Sequence, residues 1–580
     1  MFASVQNNYS RYVLSLAGLG GLIASYFLVW KNHNTSAVNF IDGDPEYYYY
    51  YLQATFSKTY LPDYEWLKPG TINTITHHPA GLSLLLLPFY LLATLFAVLF
   101  NFSTNGLSLP YQISISLAGL CYALLGLFYL TKFFKVQGIS NRISNLVILL
   151  LFFGTTLFQY SIVEPAMSHV YSFAAISAFL YFYASFVQAK TNQYILLSAL
   201  MLGVILLIRP NNILIVLFVP FLYESGADFI AGVKGLLKRR AFYYSIGLLL
   251  LFVVFQLLIW MRFENTLFSD RYAAYGFDWL HPHLFEVLFG FEAGLFVYTP
   301  LCFLFLLGVF PMFRESRYRF IVIFGFLALL IYFFSAYSAY TYFDGLGIRV
   351  LVDFYAVFAL LGAKLFMHFN EKPVLFTSVL IPALILVFVN LVYTYQSSAG
   401  ILLRSGMNYE KWSYIFLKTS DKYKSCLGGM NDYPPYAKTP PSAVLSKELE
   451  LNQPFDYSGK EYGLVMHFDS LGFSSNRLFL KIRLSRKETA LHSSQRALVC
   501  VALQDSQNKT LKSYFQFALN ETPAVDCCES KTYNFSANMN ADVKAGDNLS
   551  IYIWNLQKQN FTVETFSAEI FNYNYQIATP

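Results

Sequence analysis

Charge is what this sequence has least of. Of 580 residues, 40 are Lys or Arg and 34 are Asp or Glu, so only 13% are charged, about half the share of an ordinary soluble domain. That excludes a soluble enzyme, a disordered chain and a coiled coil. Cysteine is scarce as well. There are six, with no CxxC pair and no metal-ligand spacing, which removes zinc ribbons and dithiol redox motifs. No GxGxxG or P-loop pattern is present, so nothing in the chain is built to cradle a nucleotide. No internal repeat is visible either, against solenoids and against transporters made of duplicated halves. The net charge of +6 is small and follows membrane topology, which argues against nucleic acid as a partner.

What the sequence has in quantity is apolar and aromatic residues, 56% and 19% respectively. Apolar runs of spanning length fall near 11–30, 80–100, 109–131, 144–163, 166–188, 193–208, 211–223, 241–260, 293–312, 319–336, 350–368 and 373–394. The first run lacks a small-residue cleavage site and reads as a retained span. Residues 1–395 therefore form a polytopic α-helical membrane domain. Residues 396–442 form a polar linker carrying Pro434-Pro435 and Pro440-Pro441. Residues 443–580 alternate with period two, as in Leu478 to Leu484 and Leu549 to Trp554, and read as an all-β sandwich of jelly-roll type. Tyr514, Phe515, Phe517, Tyr552 and Trp554 are assigned to its core. Cys500 would bridge to Cys527 or Cys528 if this part faces an oxidising compartment.

Basic residues set the orientation. Lys132, Lys135 and Arg142, then Lys234, Lys238, Arg239 and Arg240, then Arg314, Arg317 and Arg319 form three basic turns. Placing these inside puts 31–79, 261–292, 337–349 and everything after 395 outside. Most acids of the spanning region then fall outside or at outer span ends; Glu224, Asp228, Glu315 and Glu371 stay inside. Parity requires 80–100, which carries Pro88, to be re-entrant or interfacial, leaving about eleven crossings.

The chemistry-bearing residues lie on the outer side. The first outer loop opens with Asp42, Asp44 and Glu46 around Pro45, followed by five tyrosines. Pro45 starts a helix with Asp44 at its N-cap, and the tyrosines read as an interfacial belt. A carboxylate there can act as a general base or bind a divalent cation. The same side holds His77 and His78, Glu164 and His169, Arg209 and Asn211, and Asp278 with His281 and His283. Taken singly, each reads more simply as a helix-end cap or a satisfied interfacial histidine. His77 and His78 are adjacent, which does not put two ligands on one helix face. Arg349 opens an apolar span after Asp344 and two glycines. A guanidinium at that depth requires a partner. Two phosphate oxygens suit its planar fork, and Asp344 or Asp353 is the alternative.

In order along the chain these motifs resemble the GT-C superfamily of polytopic glycosyltransferases, in its bacterial branch related to protein O-mannosyltransferases and aminoarabinose transferases (glycosyltransferase family 39-like). The resemblance runs over roughly 10–370. It rests on Gly43-Asp44 with the tyrosines, His78-Pro79-Ala80-Gly81, Glu164 to His169, Arg209-Pro210-Asn211, Phe277 to His283, Gly294 to Pro300 and Gly347-Ile348-Arg349. It implies transfer of a sugar from a polyprenyl-phosphate carrier to a glycan, lipid or protein acceptor at the outer face of a bacterial inner membrane. Asp44 would be the catalytic acid residue, with Asp42 second, and Arg349 would hold the carrier phosphate. Glu46, His77, His78, Glu164, His169, Arg209, Asn211, His281, His283 and Asp344 would support the substrates. Membrane lipids are the surrounding partner, and no organic cofactor is implied. Tyr342-Phe-Asp-Gly replaces the tryptophan-rich stretch of many relatives and leaves the donor sugar open. The competing reading is a transporter or flippase of lipid-linked sugars.

Overall fold

A computed structural model describes residues 2–31, 40–41, 44–56, 78–264, 276–342, 345–404, 406–420, 444–449, 451, 453–489, 497–507, 510–519, 530–556 and 558–572. The chain divides into two units, residues 1–399 and 400–580.

The first unit is helical because long apolar stretches must satisfy their own backbone in lipid. Among the described residues eight helices are long and apolar enough to cross a membrane, or up to ten if each of two bent pairs is one span. That is fewer than the eleven crossings expected. The apolar run at 293–312 is broken into Leu295–Tyr298, Pro300–Leu306 and Val309–Glu315. Pro300 opens the second of these at a position where its missing N–H costs nothing. Asn192–Ile208 is short, because Arg209-Pro210 ends it and a 3-10 helix, Pro210–Leu222, follows. Gly81–Leu99, expected to be re-entrant or interfacial, is a single 19-residue helix that keeps Pro88 inside and is among the eight.

Two spans form the centre. Windows of His169–Ala189 and Arg349–Phe369 are 83% and 89% buried, whereas those of Arg240–Phe263 and Pro373–Ser398 are 11% buried. The central spans begin with the residues singled out in the sequence, His169 and Arg349. A helix over Asp44–Phe56 begins where the Asp44-Pro45 signal placed it. Its tyrosines do not form the expected belt. Tyr48, Tyr49 and Tyr51 are buried, because their hydroxyls find protein acceptors inside: Tyr49 donates to the Gly106 carbonyl at 2.9 Å and Tyr51 to the His78 carbonyl at 2.8 Å. The Ser83 hydroxyl donates to the Tyr48 carbonyl. These bonds tie the first-loop helix to the helix that Gly81 opens.

Among its described residues the second unit holds nine strands: β1 (Leu445–Leu449), β2 (Phe455–Asp456), β3 (Tyr462–Phe468), β4 (Ser475–Glu488), β5 (Ala497–Gln504), β6 (Leu511–Ala518), β7 (Ser530–Val543), β8 (Asn548–Asn555) and β9 (Phe561–Asn572). They form two antiparallel sheets, one in the order β1-β9-β4-β7 with β2 also on β9, the other β3-β8-β5-β6. Val499, Val501, Leu549, Ile551 and Ile553 of one sheet share an apolar cluster with Leu480, Ile482, Leu484, Phe566 and Ile570 of the other. The expected aromatic core is corrected here. Strand β8 alternates strictly, and Ile551 and Ile553 take the buried pleat. Tyr552 and Trp554 therefore fall on the opposite face, as does Tyr514, 40% exposed. The side chains of Phe515 and Phe517 lie outside the described residues. So do Cys527 and Cys528, and with them the expected disulfide; Cys500 is buried and accepts from the Tyr514 hydroxyl at 3.2 Å.

A Cβ added at Gly81 would fall 2.4 Å from the Leu207 carbonyl carbon and 2.5 Å from its oxygen. Backbone cannot yield as a side chain does, so Gly81→Ala is expected to cost about 1–3 kcal/mol by overpacking. A lowered unfolding midpoint of the full chain in detergent checks this, and an unchanged midpoint contradicts the close approach.

Candidate functional site

The site is built around a carboxylate with no access to solvent. Arg349–Phe354 forms a tight 3-10 helix at the head of the most buried span, and within it Asp353 is 0% exposed. An ionised carboxylate in such a place must be surrounded by donors. His169 Nδ1 lies 2.8 Å from Asp353 Oδ1, and Asn212 Nδ2 donates to Oδ2 at 2.7 Å. The Arg209 guanidinium approaches the same Oδ2 at 3.6 Å. One side chain thus fastens the start of His169–Ala189, the break at Arg209-Pro210 and the turn that carries Arg349.

Four residues before Asp353, Arg349 points to the first-loop helix. Its Nη2 donates to Asp44 Oδ2 at 2.7 Å, and its Nη1 lies 3.6 Å from the Met167 sulfur, a weak acceptor. Among the described residues the Nε of this buried guanidinium has no hydrogen-bond partner. The pair is asymmetric: the Arg349 side chain is 8% exposed and that of Asp44 26%. Of the two residues expected as alternative partners, Asp353 is committed to His169, Asn212 and Arg209, and Asp344 lies outside the described residues. The glycines preceding Arg349 permit the turn. Gly347 has φ +67°, and a Cβ on Gly345 would sit 2.7 Å from the Tyr160 hydroxyl. That hydroxyl donates to the Leu346 carbonyl at 3.1 Å, and the Tyr160 ring meets His169 edge-on.

A polar chain runs from Arg209 to the first-loop helix. Arg209 Nη1 donates to the Ser168 hydroxyl at 3.3 Å, and that hydroxyl lies 3.5 Å from the Tyr48 hydroxyl. Tyr48 is four residues after Asp44 in its helix, hence on the same face. Its ring meets His78 edge-on at 4.4 Å, while Tyr47 stacks on His78 at 5.0 Å. Asp44, His78, His169, Arg209 and Arg349, distant in sequence, are therefore linked by direct contacts through Tyr48, Met167, Ser168 and Asp353. Chemically the arrangement offers a partly exposed carboxylate beside a guanidinium with donors to spare.

Other expected site residues are placed elsewhere. Glu164 is buried and accepts from Gln159 Nε2 at 3.1 Å, and Gln159 also donates to Ser397. Of the two asparagines after Arg209-Pro210 it is Asn212, not the Asn211 expected to support the substrates, that reaches Asp353, because in the 3-10 helix Asn212 turns fully inward. His281 is exposed and rests 3.2 Å from Asp278 Oδ2. The Asp278 carboxyl is held below its ordinary range, chiefly by the backbone N–H of His281, then by its ring and the N–H of Leu280. His283 stacks on Tyr340 at 4.0 Å. Asp42, His77 and the Glu46 side chain lie outside the described residues. Among those described, no group of three His, Cys, Asp or Glu is placed to hold a metal ion. The sequence reading missed the part played by Asp353. Its signal was present: a lone carboxylate inside an apolar run needs a reason to be there.

These helices give the chain the build of a multi-pass membrane protein with a C-terminal β-sheet region. No protein-family model and no curated protein matches it.

Removing Asp353 would strand its donors in a dry interior. Asp353→Ala is expected to cost about 3–5 kcal/mol, as for breaking a buried charge pair, and Asp353→Asn less. Thermal unfolding in detergent measures this, and an Asp353→Ala midpoint equal to wild type would overturn the hub.

Proposed function

We propose that this protein is a GT-C-type membrane glycosyltransferase that moves a sugar from a polyprenyl-phosphate carrier to a glycan, lipid or protein acceptor at the outer face of a bacterial inner membrane. The observation that carries the reading is the 2.7 Å pair of Asp44 and Arg349. It sets a partly exposed carboxylate against a buried guanidinium whose Nε, among the described residues, has no acceptor and whose Nη1 has a thioether beside it. Such a guanidinium suits a second, multidentate anion, and a phosphate is the anion it fits best. The order of motifs along the chain, with its likeness to glycosyltransferase family 39, supports the same reading.

In this reading Asp44 takes the proton from an acceptor hydroxyl or amine. The freed lone pair attacks the anomeric carbon, the bond from that carbon to the phosphate oxygen breaks, and the configuration inverts. Arg349 stabilises the charge arriving on the departing lipid phosphate, and Asp353 with Ser168 keeps Arg209 beside it. His78 and His169 shape the walls. The three basic turns stay in the cytoplasm and the site opens outward, with about eleven crossings when the broken runs are counted as spans. The C-terminal strand orders support a jelly-roll sandwich, which belongs on the site's side of the membrane.

Binding of unsubstituted polyprenyl monophosphate to the purified full chain separates the roles. Arg349→Ala is expected to lose at least tenfold in affinity. Asp44→Asn is expected to bind as well as wild type or more tightly, since its carboxylate no longer competes for Arg349, while transfer in cell-envelope glycan mass spectra disappears. Full transfer by Asp44→Asn, or undiminished phosphate binding by Arg349→Ala, would refute the proposal.

A further inference from the structure

The helix His169–Ala189 has 21 residues, so at about 1.5 Å per residue its far end lies roughly 30 Å from His169, the thickness of a bilayer's apolar core. At that end is an open cavity of about 920 Å³. Its wall is apolar at Val136, Ala184, Val187, Leu222 and Leu236, and it is lined by three cations, Lys190, Arg239 and Arg319.

Each of the three cations lies over an aromatic ring, and two of them share one. Lys190 Nζ lies 6.0 Å from the centre of the Phe186 ring and 5.6 Å from that of Tyr223. Arg239 lies 5.6 Å over the same Phe186, and Arg319 5.9 Å over Phe221. Backbone fixes the two arginines: Arg239 Nη1 donates to the Lys190 carbonyl at 2.5 Å, and Arg319 Nε to the Tyr223 carbonyl at 3.2 Å. Among the described residues no carboxylate pairs with any of the three. Two acids, Glu224 and Asp228, do line the cavity. Asp228 is occupied at a helix start, where its Oδ2 accepts from the Ser225 hydroxyl at 2.6 Å. Three cations against two acids leave a surplus of positive charge, none of it in an ion pair among the described residues, and such a surplus calls for an anion from outside.

The surroundings say what kind. The helix Gly226–Leu237 bends 113° from Pro210–Leu222, so when that segment runs with the spans, the helix after it lies along the membrane plane. It exposes Ile230 at 55% and Leu237 at 46%, as an interfacial helix does toward lipid. An apolar wall, a basic rim and headgroup depth together match an amphiphile with one negative head. We infer that this cavity binds the headgroup of an anionic phospholipid, at the membrane face opposite Asp44 and Arg349.

Native mass spectrometry of the full chain, with phosphatidylglycerol and phosphatidylcholine of identical acyl chains, tests this. Phosphatidylglycerol is expected to be retained over phosphatidylcholine by about tenfold. Lys190→Gln, whose ammonium touches only ring faces, should lower that retention about fivefold without moving the unfolding midpoint. Lys190→Gln/Arg319→Gln should lower it further. Equal retention of the two lipids, or no change in Lys190→Gln, would overturn the inference. Displacement of phosphatidylglycerol by equimolar inorganic phosphate would overturn it too, in favour of a soluble anion.

Discussion

A charge inside an apolar bundle must find its opposite, and every distinctive feature of the membrane unit follows from how this chain meets that demand. Asp353 is wholly buried and draws His169 to itself from one segment and Arg209 with Asn212 from another. Because Arg349 belongs to the same tight turn, fixing Asp353 also fixes the direction of its guanidinium. The break at Arg209-Pro210 and the turn at Gly345 to Gly347 then have a purpose. They bring polar groups to one depth without leaving unsatisfied backbone in lipid.

Two ion pairs with different exposures result. The Asp353 cluster is closed and serves as a fastening. The Asp44–Arg349 pair is its neighbour, but Asp44 is a quarter exposed and Arg349 keeps a donor with no partner among the described residues. The first gives rigidity; under the proposed function the second would carry the chemistry, an anion that takes over Arg349 releasing the Asp44 carboxylate for the acceptor. At the far end of His169–Ala189 the arrangement is reversed: three cations outnumber the two acids that line the same cavity, and among the described residues none of the three pairs with a carboxylate.

Much of this was legible in the sequence. The scarcity of charge gave the membrane class, and period-two alternation gave the strand region and its approximate start. Asp44 and Arg349 stood out because each sits at a span boundary with turn-forming neighbours. What was not legible was three-dimensional pairing. Asp353 looked like a partner for Arg349 because it is four residues away, whereas a histidine and an asparagine from other helices claim it. Asn211 and Asn212 differ only in which way a 3-10 turn points them. The first-loop tyrosines read as a lipid belt, but hydroxyl acceptors at Gly106 and His78 draw them inward. In β8 the pattern Leu-Ser-Ile-Tyr-Ile-Trp fits burial of either pleat. The aliphatic one won because the facing sheet presents Leu480, Ile482 and Leu484 to the same core.

The account stands on the direct pairing of Asp44 with Arg349, and a double-mutant cycle measures it without reference to any substrate. Unfolding free energies of the wild type, Asp44→Asn, Arg349→Gln and the double variant in one detergent give the coupling between the two side chains. For contacting charges shielded from water the expected coupling is about 1–3 kcal/mol, the double variant being little worse than the poorer single one. Effects that add within about 0.3 kcal/mol would mean that the two side chains do not meet, and the site drawn around them would be wrong.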